Sequence, residues 1–382
     1  MPLPDRDLKH LVGLTGLPTA AGREDAVVAW VTRWAKRHPW VALDADAYGN
    51  LTLRDRRWLR RKSVGPIVAV AHMDHPAFVG VESHGREAVA HFRGGVKAEY
   101  FMGAAVRRWS GTKRGERGVI VRYEKDQTPP EKPLGTGPGP RVTIRFPRDA
   151  RVRPDDILTW DLPDAKIGGG RLRAPACDNL AGVAAALTAL ERTHTRPERD
   201  AAELRVLLTR AEEIGFVGAL GVCEDQSLPR DARVVVLEAS KTLDHAPIGA
   251  GPIVRVGDRL SVFDAELTDG LAQAARRIAD DDSTFAWQRK LMDGGACEAT
   301  AFAAYGHRAA CVCVPLGNYH NMNEARRRID RESIAVADWR GMVRLLAELP
   351  ATIGNPCSNP ILGVRVRLSS RFAVQRAVLS RS

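Results

Sequence analysis

The sequence of 382 residues lacks the features that mark several specialised classes of protein. No apolar run approaches the roughly 18 residues that a membrane-spanning helix needs. None of the six cysteines forms a C-x-x-C pair, which argues against a zinc knuckle or a disulfide framework. The N-terminus lacks the basic and then apolar layout of a signal peptide. We therefore expect a cytoplasmic protein with reduced thiols and no membrane partner.

Acidic residues are fewer than basic ones. The chain has 57 Lys and Arg against 46 Asp and Glu, which gives a formal net charge of +11. Nucleic-acid binders usually concentrate such charge and interleave it with aromatic residues, whereas arginine is scattered through almost every segment here. We do not expect a nucleic-acid partner.

The pattern of apolar residues predicts two units and a tail. Residues 1–80 and 169–350 alternate buried strand-like runs with helical spacing, which is typical of a mostly parallel sheet flanked by helices. Residues 81–168 lack helical periodicity and predict a small antiparallel β-barrel-like domain inserted into the first unit. Residues 351–382 form a basic extension, for which we expect disorder or, with about equal weight, an edge strand or partner contact.

Side chains able to bind a metal occur where the predicted strands end or beside the following helix. They are His72, Asp74, Asp178, Glu212, Glu213, Glu238 and His320. In an open α/β sheet the carboxyl ends of the strands form the edge where ligands bind. We therefore expect these side chains to converge at one site, although they are widely separated in sequence.

This set of donors suits divalent cations. Imidazoles combined with carboxylates favour Zn²⁺, Co²⁺ or Mn²⁺, and a bridging carboxylate permits a pair of ions. Asp74 lies two residues beyond His72, on the same side of an extended segment, so it is placed to accept the spare imidazole N–H. Glu212 and Glu213 are adjacent and diverge, so one can bind metal while the other acts as a general base. His75 follows the pair of His72 and Asp74 and is near enough in sequence to approach the site, but we interpret it as a loop histidine.

At these residues the chain resembles the tetrahedral (TET-type) aminopeptidases, which include glutamyl and deblocking aminopeptidases among the dinuclear zinc exopeptidases. The matching stretches are Ala71–Val79, Ala176–Gly182, Ala211–Ala219, Gly249–Arg259, Gly294–Gly295 and the segment that ends at His320. They occur in the order of the family, and an inserted β domain also fits it. The resemblance implies a zinc exopeptidase-like fold, peptide substrates, two divalent ions and a homo-oligomer.

The resemblance also implies a role for each residue. His72 and Glu238 would hold one side of the metal pair, and Glu213 and His320 the other. Asp178 would bridge the two ions. Glu212 would be the general base, and Asp74 would orient His72.

The sequence departs from the family at several points. Glu238 stands where the family usually has Asp, and Asn179 replaces a second aspartate. The approach to His320, from Asn318 to Glu324, is also unusual. After Gly294-Gly295 the family has Thr-Asp, so we interpret Glu298 as a replacement acid that holds a substrate amine. Two alternatives stay open: a deacylase of N-acyl amino acids or peptides from the same clan, and a non-catalytic binding protein on this fold.

Overall fold

A computed structural model describes residues 5–60, 65–126, 138–196, 202–353 and 360–376. Its helices are α1 (Asp5–Thr15), α2 (Asp25–Lys36), α3 (Leu180–His194), α4 (Val217–Glu224), α5 (Ala265–Asp281), α6 (Glu298–Ala304), α7 (Val336–Thr352) and α8 (Pro360–Gln375). Its strands are β1 (Val41–Ala45), β2 (Leu51–Asp55), β3 (Ile67–His72), β4 (Ala77–His84), β5 (Glu87–Arg93), β6 (Ala105–Ser110), β7 (Lys113–Glu124), β8 (Arg141–Arg145), β9 (Ile157–Trp160), β10 (Lys166–Gly168), β11 (Arg171–Ala174), β12 (Leu204–Thr209), β13 (Arg233–Lys241), β14 (Ile253–Arg255), β15 (Gln288–Lys290), β16 (Arg308–Leu316), β17 (Met322–Asn323), β18 (Arg328–Ile329) and β19 (Glu332–Ala335).

The main sheet has the strand order β1-β2-β12-β3-β13-β16-β14-β15. Its four central strands, β12, β3, β13 and β16, run parallel to one another. These strands are almost wholly buried, as expected for continuous runs of Val, Leu and Ala covered on both faces. Antiparallel pairs join β1 to β2, β2 to β12 and β14 to β16 nearer the edges. The predicted α/β fold with a mostly parallel sheet is confirmed.

Helices cover both faces of this sheet because successive residues of each strand point to opposite sides. Val206 and Leu208 of β12 face a core shared with α1, α2, α3, α5 and α7. Leu207, between them, faces a second core formed with α4 and α6. α3 is buried along most of its length and contacts the central strands β3, β12 and β13.

The inserted domain is a closed barrel with the strand order β4-β5-β8-β7-β6-β9. Burial alternates along β5, so every second side chain fills the barrel interior. Aromatic rings form its core, with ring centroids of Phe78 4.8 Å from Phe92 and 4.7 Å from Trp160. The predicted small antiparallel domain is therefore confirmed, and its strands run from Ala77 to Trp160.

The basic C-terminal extension is helical where the structure describes it. α8 packs on α5, so the expectation of disorder or an edge strand is wrong for residues 360–376. The preference of β-branched residues for strands depends on a neighbouring strand, and the element beside α8 is the helix α5. Residues 354–359 and 377–382 of this extension lie outside the described residues. None of the described helices is both long and apolar enough to cross a bilayer.

Candidate metal centre

The predicted ligands lie together at the carboxyl edge of the central parallel strands. His72 ends β3, and Glu238 lies within β13. Glu212 and Glu213 occupy a short 3-10 turn directly after β12, and a similar turn after β16 carries His320. Asp178 immediately precedes the N-terminal cap of α3. Four strands and one helix therefore bring the predicted donors to one place.

The donors form two groups that meet at Asp178. The His72 Nε2 atom lies 3.4 Å from Asp178 Oδ1 and 3.7 Å from Glu238 Oε2. The His320 Nε2 atom lies 3.7 Å from Asp178 Oδ2 and 3.3 Å from Glu213 Oε2. Each oxygen of Asp178 thus faces a different imidazole, which is the arrangement that a bridging carboxylate needs.

Glu212 lies among the candidate metal ligands. Its Oε2 atom is 3.8 Å from His72 Nε2. Ligand atoms of His72, Glu212 and Glu238 lie within 4.8 Å of one another, as do those of Asp178, Glu213 and His320. The geometry therefore permits Glu212 either to bind a cation or to act as a base beside it.

The chemistry of the donor set fits divalent cations. Asp178 Oδ1, Glu213 Oε1 and Glu238 Oε1 are buried without a hydrogen-bond partner among the described residues. Buried carboxylates without compensation cost several kcal/mol each, on the order of the desolvation penalty of an ion. Imidazole nitrogens and carboxylate oxygens are the ligands that Zn²⁺ and similar ions accept. A pair of cations would compensate both groups.

The pKa values of the buried donors reflect this crowding. Burial raises the pKa of Glu212 well above its usual range, and Glu238 and Glu213 add to that rise while His72 opposes it. Burial alone would lower the pKa of His320, but Glu213 and Asp178 raise it to about 9. The site is therefore strongly electronegative and attracts positive charge.

Asp74 fixes the turn that carries Glu212 and Glu213. Its Oδ1 atom accepts the N–H of Glu212 at 3.0 Å, and its Oδ2 atom accepts the N–H of Glu213 at 3.0 Å. The same Oδ1 atom lies 3.4 Å from His72 Nδ1. One fully buried carboxylate thus contacts a predicted ligand and the turn that carries two more site residues.

A second buried acid, Glu24, supports the same turn. Ala211 and Phe216 have φ values of 54° and 60°, which are unfavourable for residues with a Cβ. Glu24 accepts the N–H of Ala211 at 3.1 Å and the Nε–H of Arg210 at 2.7 Å. No spacing in the sequence indicated this role, because Glu24 and Arg210 are 186 residues apart.

Glu332 is a further residue that the sequence did not reveal. Its Oε2 atom accepts the N–H groups of Cys177 at 2.7 Å and Asp178 at 3.0 Å, and its Oε1 atom accepts the N–H of His320 at 2.9 Å. Burial raises its pKa to about 7, and the proximity of Asp178 adds to the rise. The Glu332 carboxyl group thus links the backbone at Asp178 to the backbone at His320, and so connects two predicted ligands that are distant in sequence.

His75 is more than the loop histidine that we expected. The ring is buried, its Nδ1 atom donates to the carbonyl of Asp178, and its Nε2 atom lies 2.9 Å from Asn321 Oδ1. It therefore fixes the chain beside two predicted ligands.

Two of the departures from the family have a structural context. The Nδ2–H of Asn179 donates at 2.6 Å to the carbonyl of Leu237, the residue before Glu238, and an ionised aspartate offers no such donor. Glu298 is fully buried and accepts the hydroxyl of Thr209 at 2.9 Å. Burial raises the pKa of Glu298 to about 8. The Glu298 side chain lies outside the cavity wall, so its predicted contact with a substrate amine remains a prediction.

A cavity of about 550 Å³ opens onto the donors. Its wall includes Lys241, Arg255, Met292, Gly294, Gly295 and Tyr319 besides the predicted ligands. The Arg255 guanidinium is nearly inaccessible and donates to Ser240 Oγ at 3.1 Å. The cavity thus has negatively charged carboxylates on its floor and the positively charged Lys241 and Arg255 in its side wall.

The fold and this donor set have the features that the resemblance implied: an α/β sheet, an inserted barrel and a buried carboxylate–imidazole cluster. The family model of the M42 glutamyl aminopeptidases matches residues 147–335. The resemblance to the tetrahedral aminopeptidases is therefore confirmed, and the family match supports a peptidase function. No curated protein sequence matches the chain significantly.

Solved structures share this fold over most of the chain. The TET1 peptidase of Pyrococcus horikoshii is 18% identical with a TM-score of 0.71, and the match covers 90% of this chain and 99% of that one. An aminopeptidase of Desulfurococcus kamchatkensis is 21% identical with a TM-score of 0.71, covering 93% and 96%. The TET aminopeptidase of Thaumarchaeota archaeon SCGC AB-539-E09 is 18% identical with a TM-score of 0.71, covering 91% and 96%.

Proposed function

We propose that the protein is a metal-dependent aminopeptidase that removes N-terminal residues from peptides. The observation that carries this proposal is the pair of donor groups that meet at Asp178 and line one cavity. A floor of carboxylates attracts the ammonium group of a peptide N-terminus. The match to the M42 aminopeptidase family supports the same conclusion.

The residues support a division of roles. His72 and Glu238 would hold one divalent cation, Glu213 and His320 the other, and Asp178 would contact both. Two such ions, when bound, would supply Lewis acidity toward the scissile carbonyl and lower the pKa of water. Zn²⁺ is the ion we propose, with Co²⁺ or Mn²⁺ as substitutes.

Glu212 is proposed as the general base. Its carboxylate would take the proton of the attacking water and deliver it to the nitrogen of the leaving amine. Asp74 would hold the His72 ring and the Glu212 backbone in fixed positions relative to each other. His320 donates its Nδ1–H to the carbonyl of Gly95 at 2.6 Å, which leaves Nε2 free to bind a cation.

The side wall supports a preference for an acidic first residue. Arg255 and Lys241 line the cavity; Lys241 is exposed, and the buried Arg255 adds positive charge to the same wall. A substrate carboxylate placed there would gain a charge-assisted hydrogen bond. The name of the matching family, glutamyl aminopeptidase, agrees with this preference.

We also propose a homo-oligomer that works in the cytoplasm. The Pyrococcus horikoshii TET1 peptidase is described as assembling into a tetrahedron or a large octahedral shell. A recessed site inside such an assembly would restrict access to chain ends.

Hydrolysis of aminoacyl-anilides in the presence of Zn²⁺ or Co²⁺ tests the proposal. We expect activity that a chelator removes, and we expect Glu212→Gln to lose it while metal analysis still finds about two ions per chain. Full activity in Glu212→Gln would contradict its role as base. Cleavage of N-acyl amino acids without cleavage of free aminoacyl-anilides would identify a deacylase, and metal-free, inactive protein would favour a binding protein.

A further inference from the structure

The segment after His320 forms a hairpin that rises directly from the metal centre. β17 and β18 pair antiparallel, with Met322 opposite Ile329. The hairpin begins two residues after His320 and ends three residues before Glu332, which binds the backbone of His320. Its base is therefore fixed at the site, and its position relative to the cavity is fixed with it.

Three consecutive arginines occupy the tip of this hairpin. Arg326, Arg327 and Arg328 are all exposed. Arg328 approaches Asp330 at 3.3 Å, whereas no ion pair of Arg326 or Arg327 occurs among the described residues. The two guanidinium groups are therefore available for an anionic partner.

Two lysines continue this positive charge around the cavity. Lys241 belongs to the cavity wall, and Lys97 follows the barrel loop that touches His320 through Gly95. Both contact one carboxylate: Glu324 Oε1 lies 2.9 Å from Lys241 Nζ and 3.5 Å from Lys97 Nζ. We call Lys97, Lys241 and the three arginines the basic rim. Glu324 and Asp330 are the acids that pair with it, so the rim keeps a net positive charge.

We propose that the basic rim binds acidic side chains of the peptide downstream of the bond to be cleaved, so that the preferred substrates are acidic peptides. This inference rests on the proposed function. Lys241 lines the cavity, so a peptide whose first residue enters the cavity passes beside this part of the rim. Arg326 is six residues from His320, so at about 3.3 Å per residue it lies within roughly 20 Å of the metal centre. Carboxylates a few residues along an extended substrate are thus within reach of the tip.

The same charges favour a peptide over a nucleic acid. Binding of single strands usually combines basic groups with aromatic rings on which bases stack. The exposed tip, residues 324–328, contains no aromatic side chain. Peptide carboxylates need only the guanidinium groups, which pair with them in a planar, two-pronged contact.

The test uses two peptides with the same first three residues and either Glu-Glu or Gln-Gln at positions four and five. Two exposed arginine–carboxylate pairs give about a five- to tenfold higher kcat/KM for the acidic peptide at low salt. The ratio should fall below about twofold in 1 M salt, where the Debye length is about 3 Å. The variant R326Q/R327Q should reduce the low-salt ratio to about twofold or less.

The matched control is R365Q/R371Q, which removes the same charge from exposed positions on α8 and should keep the ratio. Fluorescence anisotropy with the same peptides, labelled at the C-terminus, measures binding independently of turnover. If both peptides and aminoacyl-anilides resist hydrolysis, the proposed function fails. The ratio of the affinities of the two peptides, measured by anisotropy, then tests by itself whether the basic rim binds acidic peptides. Equal binding of both peptides by the wild type, or an unchanged ratio in R326Q/R327Q, would overturn the inference. Tighter, rim-dependent binding of a thymidine oligonucleotide would overturn it in favour of nucleic acid.

Discussion

Replacing Asp74 with Asn tests how the protein holds its candidate metal ligands. The substitution keeps the shape of the side chain but turns one acceptor oxygen toward a backbone N–H into an NH₂ group. At least one of the two 3.0 Å bonds to Glu212 and Glu213 is lost, and two donors then face each other. Hydrogen bonds to charged groups contribute about 1.5–3 kcal/mol, so we expect about 2–3 kcal/mol of destabilisation in urea unfolding of the metal-free protein.

Asp338 supplies a matched control for Asp74. It is also fully buried, and its two oxygens accept the N–H groups of Gly249 at 2.7 Å and Gly251 at 2.9 Å. We expect Asp338→Asn to destabilise the protein by a similar amount, but only Asp74→Asn to weaken zinc binding. The expected loss is about 10- to 100-fold, which is typical when a residue supporting a metal ligand is removed. Calorimetric titration with competing chelator measures it, and equal zinc affinities of the two variants would refute the reasoning.

Asp74 and Asp338 should also differ in how their contributions to the free energy of unfolding depend on pH. Burial would raise the pKa of Asp74, but His72 and the two amides outweigh it and lower the pKa below 3.8. The stabilisation by ionised Asp74 is then present above about pH 4 and is lost as the pH falls through the lowered pKa. Burial raises the pKa of Asp338, so its contribution declines as the pH rises through that pKa. The penalty of Asp74→Asn should therefore shrink in acid, whereas that of Asp338→Asn should grow.

Three further predictions, one of them with a control variant, concern the surroundings of the site. Asn179→Asp places a buried charge against the carbonyl of Leu237, and we expect a loss of about 2–4 kcal/mol in urea unfolding; an unchanged midpoint would contradict this. Arg210→Met leaves Glu24 buried without its cation and should cost about 3–5 kcal/mol, whereas Arg205→Met should cost less, because Glu203 keeps Arg54 at 2.8 Å. Glu298→Gln tests the predicted contact with a substrate amine: if the contact forms, KM should rise about tenfold, whereas a change of less than about twofold would show that this carboxyl, which lies outside the cavity wall, does not reach the substrate.

The position of the candidate ligands could be predicted because it follows from sheet geometry. His72, Glu213, Glu238 and His320 each lie at or just beyond the C-terminal part of a parallel strand, and such strands end at a common edge. The donor residues directly follow apolar runs in the sequence, which indicated the ends of the strands. The order of the motifs indicated the family. The central sheet and the inserted barrel could also be predicted, because apolar runs and alternating apolar residues are local patterns in the sequence.

Residues that support the ligands could not be predicted in the same way. Glu24 accepts a backbone N–H from a residue 187 positions away, and Glu332 accepts one from a residue 155 positions away. Every residue except proline has such an N–H group, so the identity of the donor residue gives no sign of the contact. His75 carried no pattern that distinguished a buried ring from an exposed one. The C-terminal helix was missed because a short alternating stretch does not reveal whether a strand or a helix is available to pack against.

Through the contact between His320 and Gly95, the inserted barrel contributes to the candidate metal centre at the edge of the sheet. A carbonyl from one folding unit fixes the tautomer of an imidazole that the other unit presents. Exchanging the barrel for that of a relative would then alter the candidate metal centre, even if every predicted ligand were retained. Grafts should succeed only where the loop at Gly95 returns its carbonyl to the same place.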